Sequence, residues 1–203
     1  MNEPTVAQAP ALLVYLLVYV LVAFVWRSVL VWKRTGINPY VLSADDSAHG
    51  YVGRAMRLLM LSLALAILVL TVFPEASTWL GTLSALTIPG VVWTGWVLLL
   101  TSLGWIALAQ AHLGASWRIG VDESARTALV QHGIFARSRN PIFLGMRLNL
   151  LGILLVAPNA LTLAILVAGE VLMQVQVRLE EAYLEQVHGE TYRAYRQQVP
   201  RWL

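Results

Sequence analysis

Between Ala11 and Trp32 the sequence carries a single charged residue, Arg27, and between Ile88 and Ala111 it carries none. About 20 apolar residues suffice for a helix to cross a hydrocarbon core of about 30 Å, and a backbone without water must satisfy its polar groups internally. Three further runs, Ala55 to Phe73, Pro141 to Val156 and Leu161 to Val177, bring the expected spans to five. Composition agrees. Hydrophobic residues make up 58% and charged residues 12%, against roughly 45–50% and 25% in soluble domains. The expectation is an all-α integral membrane bundle. The first run is too long for a removable signal peptide and lacks a basic leader and a cleavage site. The absence of cysteine excludes disulfides, thiolate metal sites and covalent cysteine chemistry.

The segments between the runs set the organisation. Met1 to Pro10 reads as a short tail, and Trp26, Arg27, Trp32, Lys33 and Arg34 read as an interfacial anchor ending the first span. Thr35 to Gly53 is rich in glycine and proline and reads as a loop. Its Asp45-Asp46-Ser47-Ala48-His49 run is better explained by local side-chain caps than by a metal site, because no further ligands are spaced to complete coordination. Asp122 to Val130 is expected as a short helix or turn on the membrane surface, Pro158-Asn159 as a tight turn, and Arg178 to Val199 as an amphipathic helix stopped by Pro200. These features divide the chain into an N-terminal transmembrane region, 1–111, and a polar-plus-hairpin region, 112–203.

All 14 basic residues fall in or beside the loops after spans one, three and five. The positive-inside rule then places the N-terminus outside and the C-terminus in the cytoplasm. Two charges remain inside the final hairpin, Arg147 and Glu170. They are equidistant from the Pro158-Asn159 turn, so antiparallel helices bring them to the same depth, about 17 Å from the turn at 1.5 Å per residue. They are expected to face one another, lining an acceptor cavity or locking the hairpin.

One ordered set of motifs goes further. Leu129-Val130, Gly133-Ile134-Phe135, Arg139-Asn140-Pro141-Ile142-Phe143-Leu144-Gly145, Glu180-Glu181, Gly189-Glu190, Tyr192, Tyr195 and Val199-Pro200-Arg201 resemble the isoprenylcysteine carboxyl methyltransferase family. These are membrane-integral enzymes that use S-adenosylmethionine, and phospholipid methyltransferases share the C-terminal pattern. The resemblance covers residues 113 to 203. The family commonly has histidine and tyrosine where Asn140 and Phe143 stand, which removes a ring nitrogen and a phenol oxygen as hydrogen-bonding groups.

The resemblance implies cofactor contacts at Thr127, Ala128, Leu129, Val130, Phe135, Asn140, Pro141, Ile142, Phe143, Glu180 and Glu181, with Arg139, Asn140 and Glu180 at the catalytic centre. Phe135 and Phe143 can sandwich an adenine or approach a sulfonium. Glu180 or Glu181 can take the ribose or the ammonium, and Arg137 or Arg139 the carboxylate. Gln176, Arg178, Arg147 and Glu170 are expected nearest the acceptor, a lipophilic molecule or lipid entering from the bilayer. Neither metal nor nucleic acid is expected. The active site is expected on the cytoplasmic side. A carboxylate acceptor, already ionised at pH 7, needs no general base and is the first expectation. An amine acceptor would need one, from Glu180, Glu181 or His132. An NADPH-dependent reductase of the sterol type and a non-enzymatic membrane scaffold are the readings outside this class.

Overall fold

The computed structural model describes residues 4–36, 38–40, 46–117 and 128–203. Among them the elements are helical, apart from isolated bridges such as Thr82 with Asn159. The chain runs through α1 (Pro4–Val20), a π-helical turn (Leu21–Trp26), α2 (Arg27–Thr35), α3 (Ala48–Val72), α4 (Pro89–Leu113), α5 (Pro141–Val156), α6 (Ala160–His188) and α7 (Glu190–Gln198). Four helical stretches, Ala7–Thr35, Ala48–Val72, Pro89–Leu113 and Ala160–His188, are long and apolar enough to cross a membrane, and α5 is a shorter apolar helix. The protein is an integral membrane helical bundle.

Three expectations about boundaries change. The N-terminal segment is helical from Pro4, with Pro10 inside α1 rather than in a tail. Helix α3 starts at Ala48, inside the segment read as loop, because the Ser47 side chain accepts the Gly50 N–H at 3.1 Å and caps it. No separate amphipathic helix begins at Arg178. The fifth span continues to His188 as one 29-residue helix, and Gly189, with φ of +53°, breaks it before α7. At 1.5 Å per residue α6 is about 43 Å long, so its charged end, from Arg178 on, projects beyond the hydrocarbon. Asp45 and residues 122–127 of the surface segment lie outside the described residues.

The two connections at the end opposite the polar segment are tied together. Leu83 N donates to Pro158 O at 2.9 Å, and Ala160 N donates to Leu80 O and Gly81 O. Asn159 caps α6 reciprocally with Thr162, accepting its N–H at 2.9 Å while Thr162 Oγ1 accepts from Asn159 N at 3.2 Å. The expected turn is therefore also a helix cap.

Helices α4 and α5 form the closest seam. Gly95, Ser102 and Ala109 recur every seven residues on α4 and are buried, and they meet Gly152 and Gly145, also seven apart, on antiparallel α5. Ser102 Oγ donates to Gly145 O at 2.8 Å. A Cβ at Gly152 would lie 2.8 Å from Leu99 and 3.0 Å from the Gly95 carbonyl, so a side chain there would drive the helices apart. Small residues allow this approach where lipid provides no hydrophobic drive between helices. The main core fills the remaining space with Leu12, Tyr15 and Tyr19 of α1, Leu63 and Ile67 of α3, Leu99 and Ile106 of α4, Leu150 and Ile153 of α5, and Met173 of α6. Within it the Tyr15 hydroxyl donates to Asn149 Oδ1, 2.6 Å away, and lies 2.9 Å from Leu99 O.

Candidate functional site

The polar end of the bundle is assembled from the entry to α5, the far end of α6, α7 and the residues after it. Before α5, Gly133 takes φ of +62°, and a Cβ there would lie 2.6 Å from the His112 ring. Glycine is required on both counts. It opens a short 3-10 turn, Gly133–Ala136, that buries Ile134 and Phe135 against Ala109, with Trp105, Leu113, Val130 and Ile142 around them. Pro141 begins α5, and its carbonyl accepts from Trp105 Nε1 at 2.8 Å. The entry segment is thus pinned to the end of α4.

The C-terminal residues close over that segment. Tyr195 donates its hydroxyl to Phe135 O at 2.6 Å. Arg139 N donates to Pro200 O at 3.0 Å and Ser138 Oγ to Arg201 O at 3.3 Å. Arg139 Nη1 donates to Val199 O at 2.7 Å and Arg196 O at 3.1 Å. The family-like motifs around residues 139 and 200, far apart in sequence, are in direct contact.

Glu181 is the centre of this closure. Its carboxylate is 7% exposed and accepts from Arg139 Nη2 at 3.1 Å, Asn140 Nδ2 at 2.9 Å, Arg201 Nη2 at 2.8 Å and Arg201 Nε at 3.1 Å. Burial alone would raise its pKa. Hydrogen bonds from Arg201 and Asn140, with the Arg139 charge, more than reverse this and hold the carboxyl below its ordinary value. Glu180, one residue earlier, has the opposite surroundings. It is half-buried and, among the described residues, has neither a hydrogen bond nor an ion pair. Burial, and secondarily the neighbouring Glu181 charge, push its carboxyl up to about 7. Beside them the Tyr192 hydroxyl is buried with no hydrogen-bond partner among the described residues.

The residues expected to act together divide into groups. Arg139, Asn140 and Glu181 form one cluster, joined by Arg201, to which the sequence reading gave no role. Glu180 stands beside that cluster without joining it. Phe135 lies in the small cluster under α4, whereas Phe143 packs half-buried against the main core, so the structure does not bring the two rings together. Ile142 flanks Phe135 and Leu129 packs beside Tyr192 and Tyr195. Ala128 and Val130 lie in irregular chain before the turn, and Thr127 lies outside the described residues. Arg137 is exposed, and His132 sits edge-on to His112 at 6.2 Å.

Arg147 and Glu170 do meet. Arg147 Nε donates to Glu170 Oε2 at 2.7 Å, and Gln174 Nε2 holds the other oxygen at 2.8 Å. Arg178 continues the row, donating to Gln174 Oε1 at 2.8 Å, while Gln176 is half-buried on α6. The Arg147 guanidinium lies 4.5 Å from the Trp202 ring centroid, a cation–π contact that sequence spacing does not signal.

Residues 90–191 match the family model described as phospholipid methyltransferase. Comparison with curated proteins and with solved structures returned no match.

Proposed function

The chain belongs to the phospholipid methyltransferase family, and we propose that this S-adenosylmethionine-dependent membrane methyltransferase methylates an amine-bearing lipid that stays in the bilayer. The observation that carries this reading is the pair of adjacent carboxylates with opposite surroundings. Glu181 is saturated by Arg139, Asn140 and Arg201 and serves to hold the site together. Glu180 has no partner among the described residues, and its carboxyl is raised to about 7. A base with a pKa near the working pH is suited to take a proton from an ammonium head group.

S-adenosylmethionine, when bound, supplies a methyl group on a positively charged sulfur. The Tyr192 hydroxyl, buried without a partner among the described residues, suits such a ligand as a hydrogen-bonding group, and Glu180 beside it suits its positive charge. In the proposed step Glu180 would accept the ammonium proton, which frees the nitrogen to take the methyl group while the sulfur keeps the electrons of the bond it gives up. Alignment of the two reactants is worth about 7–11 kcal/mol by itself. The contacts of Arg139 and Arg201 with Glu181 would keep the entry to α5 fixed during that alignment.

A second reading is favoured by Arg147. It spends Nε on Glu170, is about a third exposed, and has no carboxylate partner beyond Glu170 among the described residues, so its other edge suits a carboxylate acceptor. Calorimetry and product chemistry separate these possibilities. Wild-type protein is expected to bind S-adenosylhomocysteine in the micromolar range and to place radiolabelled methyl on an amine-headed phospholipid in vesicles. Turnover is expected to fall as pH drops through about 7, where Glu180 gains its proton, and Glu180→Gln is expected to lose turnover at every pH. Label released by mild base would show a methyl ester and favour the carboxylate reading. Absence of nucleoside binding would remove both.

The count of basic residues supports placing this end of the bundle in the cytoplasm. A cysteine introduced at Glu75 is then expected to react with an impermeant reagent applied to intact cells, and one at Arg137 only after permeabilisation. The reverse pattern would invert the topology.

A further inference from the structure

Arg27 lies outside the region that matches the family, on the first span, and it is 9% exposed. Arg139, Arg147 and Arg201 each have a carboxylate partner. Arg27 has none among the described residues. Its Nη2 donates to Gly114 O at 2.8 Å, and its Nε is buried without a partner. A buried charge lacking a counter-charge is costly, and a guanidinium is permanently protonated, so it cannot escape the cost by losing its proton.

Its position is built. The π-helical turn Leu21–Trp26 leads directly into Arg27, whose N–H bonds to Phe24 O. Gln110, 4% exposed, donates from Nε2 to Ala23 O in the same turn at 2.8 Å. The π-turn therefore offers a carbonyl to α4, and Gly114, the residue that ends α4, offers its carbonyl to the guanidinium. π-bulges of this kind are frequent at functional sites. Gly114 follows His112 by two residues, and the His112 ring is the surface against which Gly133 turns. Arg27 thus stands at the C-terminal end of α4, the end whose His112 ring meets Gly133.

The two arginines expected to hold the carboxylate of the cofactor have other surroundings. Every nitrogen of Arg139 is engaged by Glu181 or by backbone carbonyls, and Arg137 is exposed. We propose that Arg27 is a binding residue that receives the carboxylate of the methionine moiety of S-adenosylmethionine, with Gln110 and the π-turn holding it in place. This inference rests on the cofactor reading given above.

The test uses full-length protein in detergent and two ligands, S-adenosylhomocysteine and its decarboxylated analogue, each titrated by calorimetry. Wild type is expected to prefer the carboxylate-bearing ligand by about tenfold or more, the size of one charge-assisted hydrogen bond. Arg27→Met is expected to bring the two affinities within about threefold of each other, leaving the decarboxylated analogue bound as in wild type. Arg27→Lys keeps the charge without the planar fork and should give an intermediate ratio. An unchanged ratio in either variant, including equal weakening of both ligands, would overturn the assignment and leave Arg27 a fold-stabilising residue. If wild type binds neither ligand, the cofactor reading fails and takes this inference with it. If it binds both alike, only this inference fails.

Discussion

Replacing Glu181 by alanine is expected to destabilise the protein by about 3–5 kcal/mol, the usual consequence of removing one partner of a buried ion pair, and to lower its melting temperature by about 10 °C. The reason is the number of groups left behind. Arg139 is as buried as Glu181, with side-chain exposures of 8% and 7%, and it would remain inside without a counter-charge. Asn140 Nδ2 would keep only the long contact with Arg201 O, and both donors of Arg201 would lose their acceptor. Those groups fasten the chain after α7 to the entry of α5, so nucleoside binding should fall with stability. The pH dependence has a definite sign. A carboxyl held below its ordinary value contributes stability above the ordinary carboxylate pKa, and that contribution is lost as pH falls through the depressed value. Acid melting curves should therefore show a contribution that disappears in Glu181→Gln. A variant as stable as wild type, with an unchanged acid limb, would mean that this cluster does not hold the site together.

Arg147→Met and Glu170→Gln are expected to cost about 2 kcal/mol each, below the range for fully buried pairs because both side chains are about a third exposed. The double variant should lose less than the two singles together, with a coupling of about 1–2 kcal/mol. Thermal unfolding in detergent of the three variants measures it. Strictly additive losses would show that the 2.7 Å contact carries no energy of its own. Arg147→Met should also loosen Trp202, which stacks on the guanidinium. A change in tryptophan emission shared by Arg147→Met and absent from Glu170→Gln would separate the stacking from the ion pair.

That pairing was legible because it needs only a turn and a constant rise. Two antiparallel helices, one tight turn and 1.5 Å per residue fix which positions share a depth. The five apolar runs were legible for the same kind of reason, and the expected bounds of α5, Pro141 to Val156, are the observed ones. The partition of Glu180 from Glu181 was not. Successive helical residues point about 100° apart, and only the position of α7 and the residues after it decides which one meets Arg139. Nor does a motif reveal what saturates it. Arg139 reads as a ligand clamp until the carbonyls of Val199 and Arg196 are found on it. The π-turn is the third case. Leu21 to Trp26 has ordinary helical composition, and it is the Gln110 side chain of another helix that meets its carbonyl.

Helix α5 has 16 residues, about 24 Å of rise, against about 30 Å of hydrocarbon. The Ser102 and Trp105 hydrogen bonds fix it lengthwise against its longer neighbour, so it cannot slide to make up the difference. A helix of that rise with its far end at one boundary would stop about 6 Å short of the other. For a lipid acceptor this changes the work of extraction. Every methylene that need not be lifted into water saves about 0.8 kcal/mol, so a recessed reaction centre lets the acceptor approach by lateral diffusion while its chains remain solvated by their neighbours. This shorter apolar helix would then set how far a lipid must rise to react.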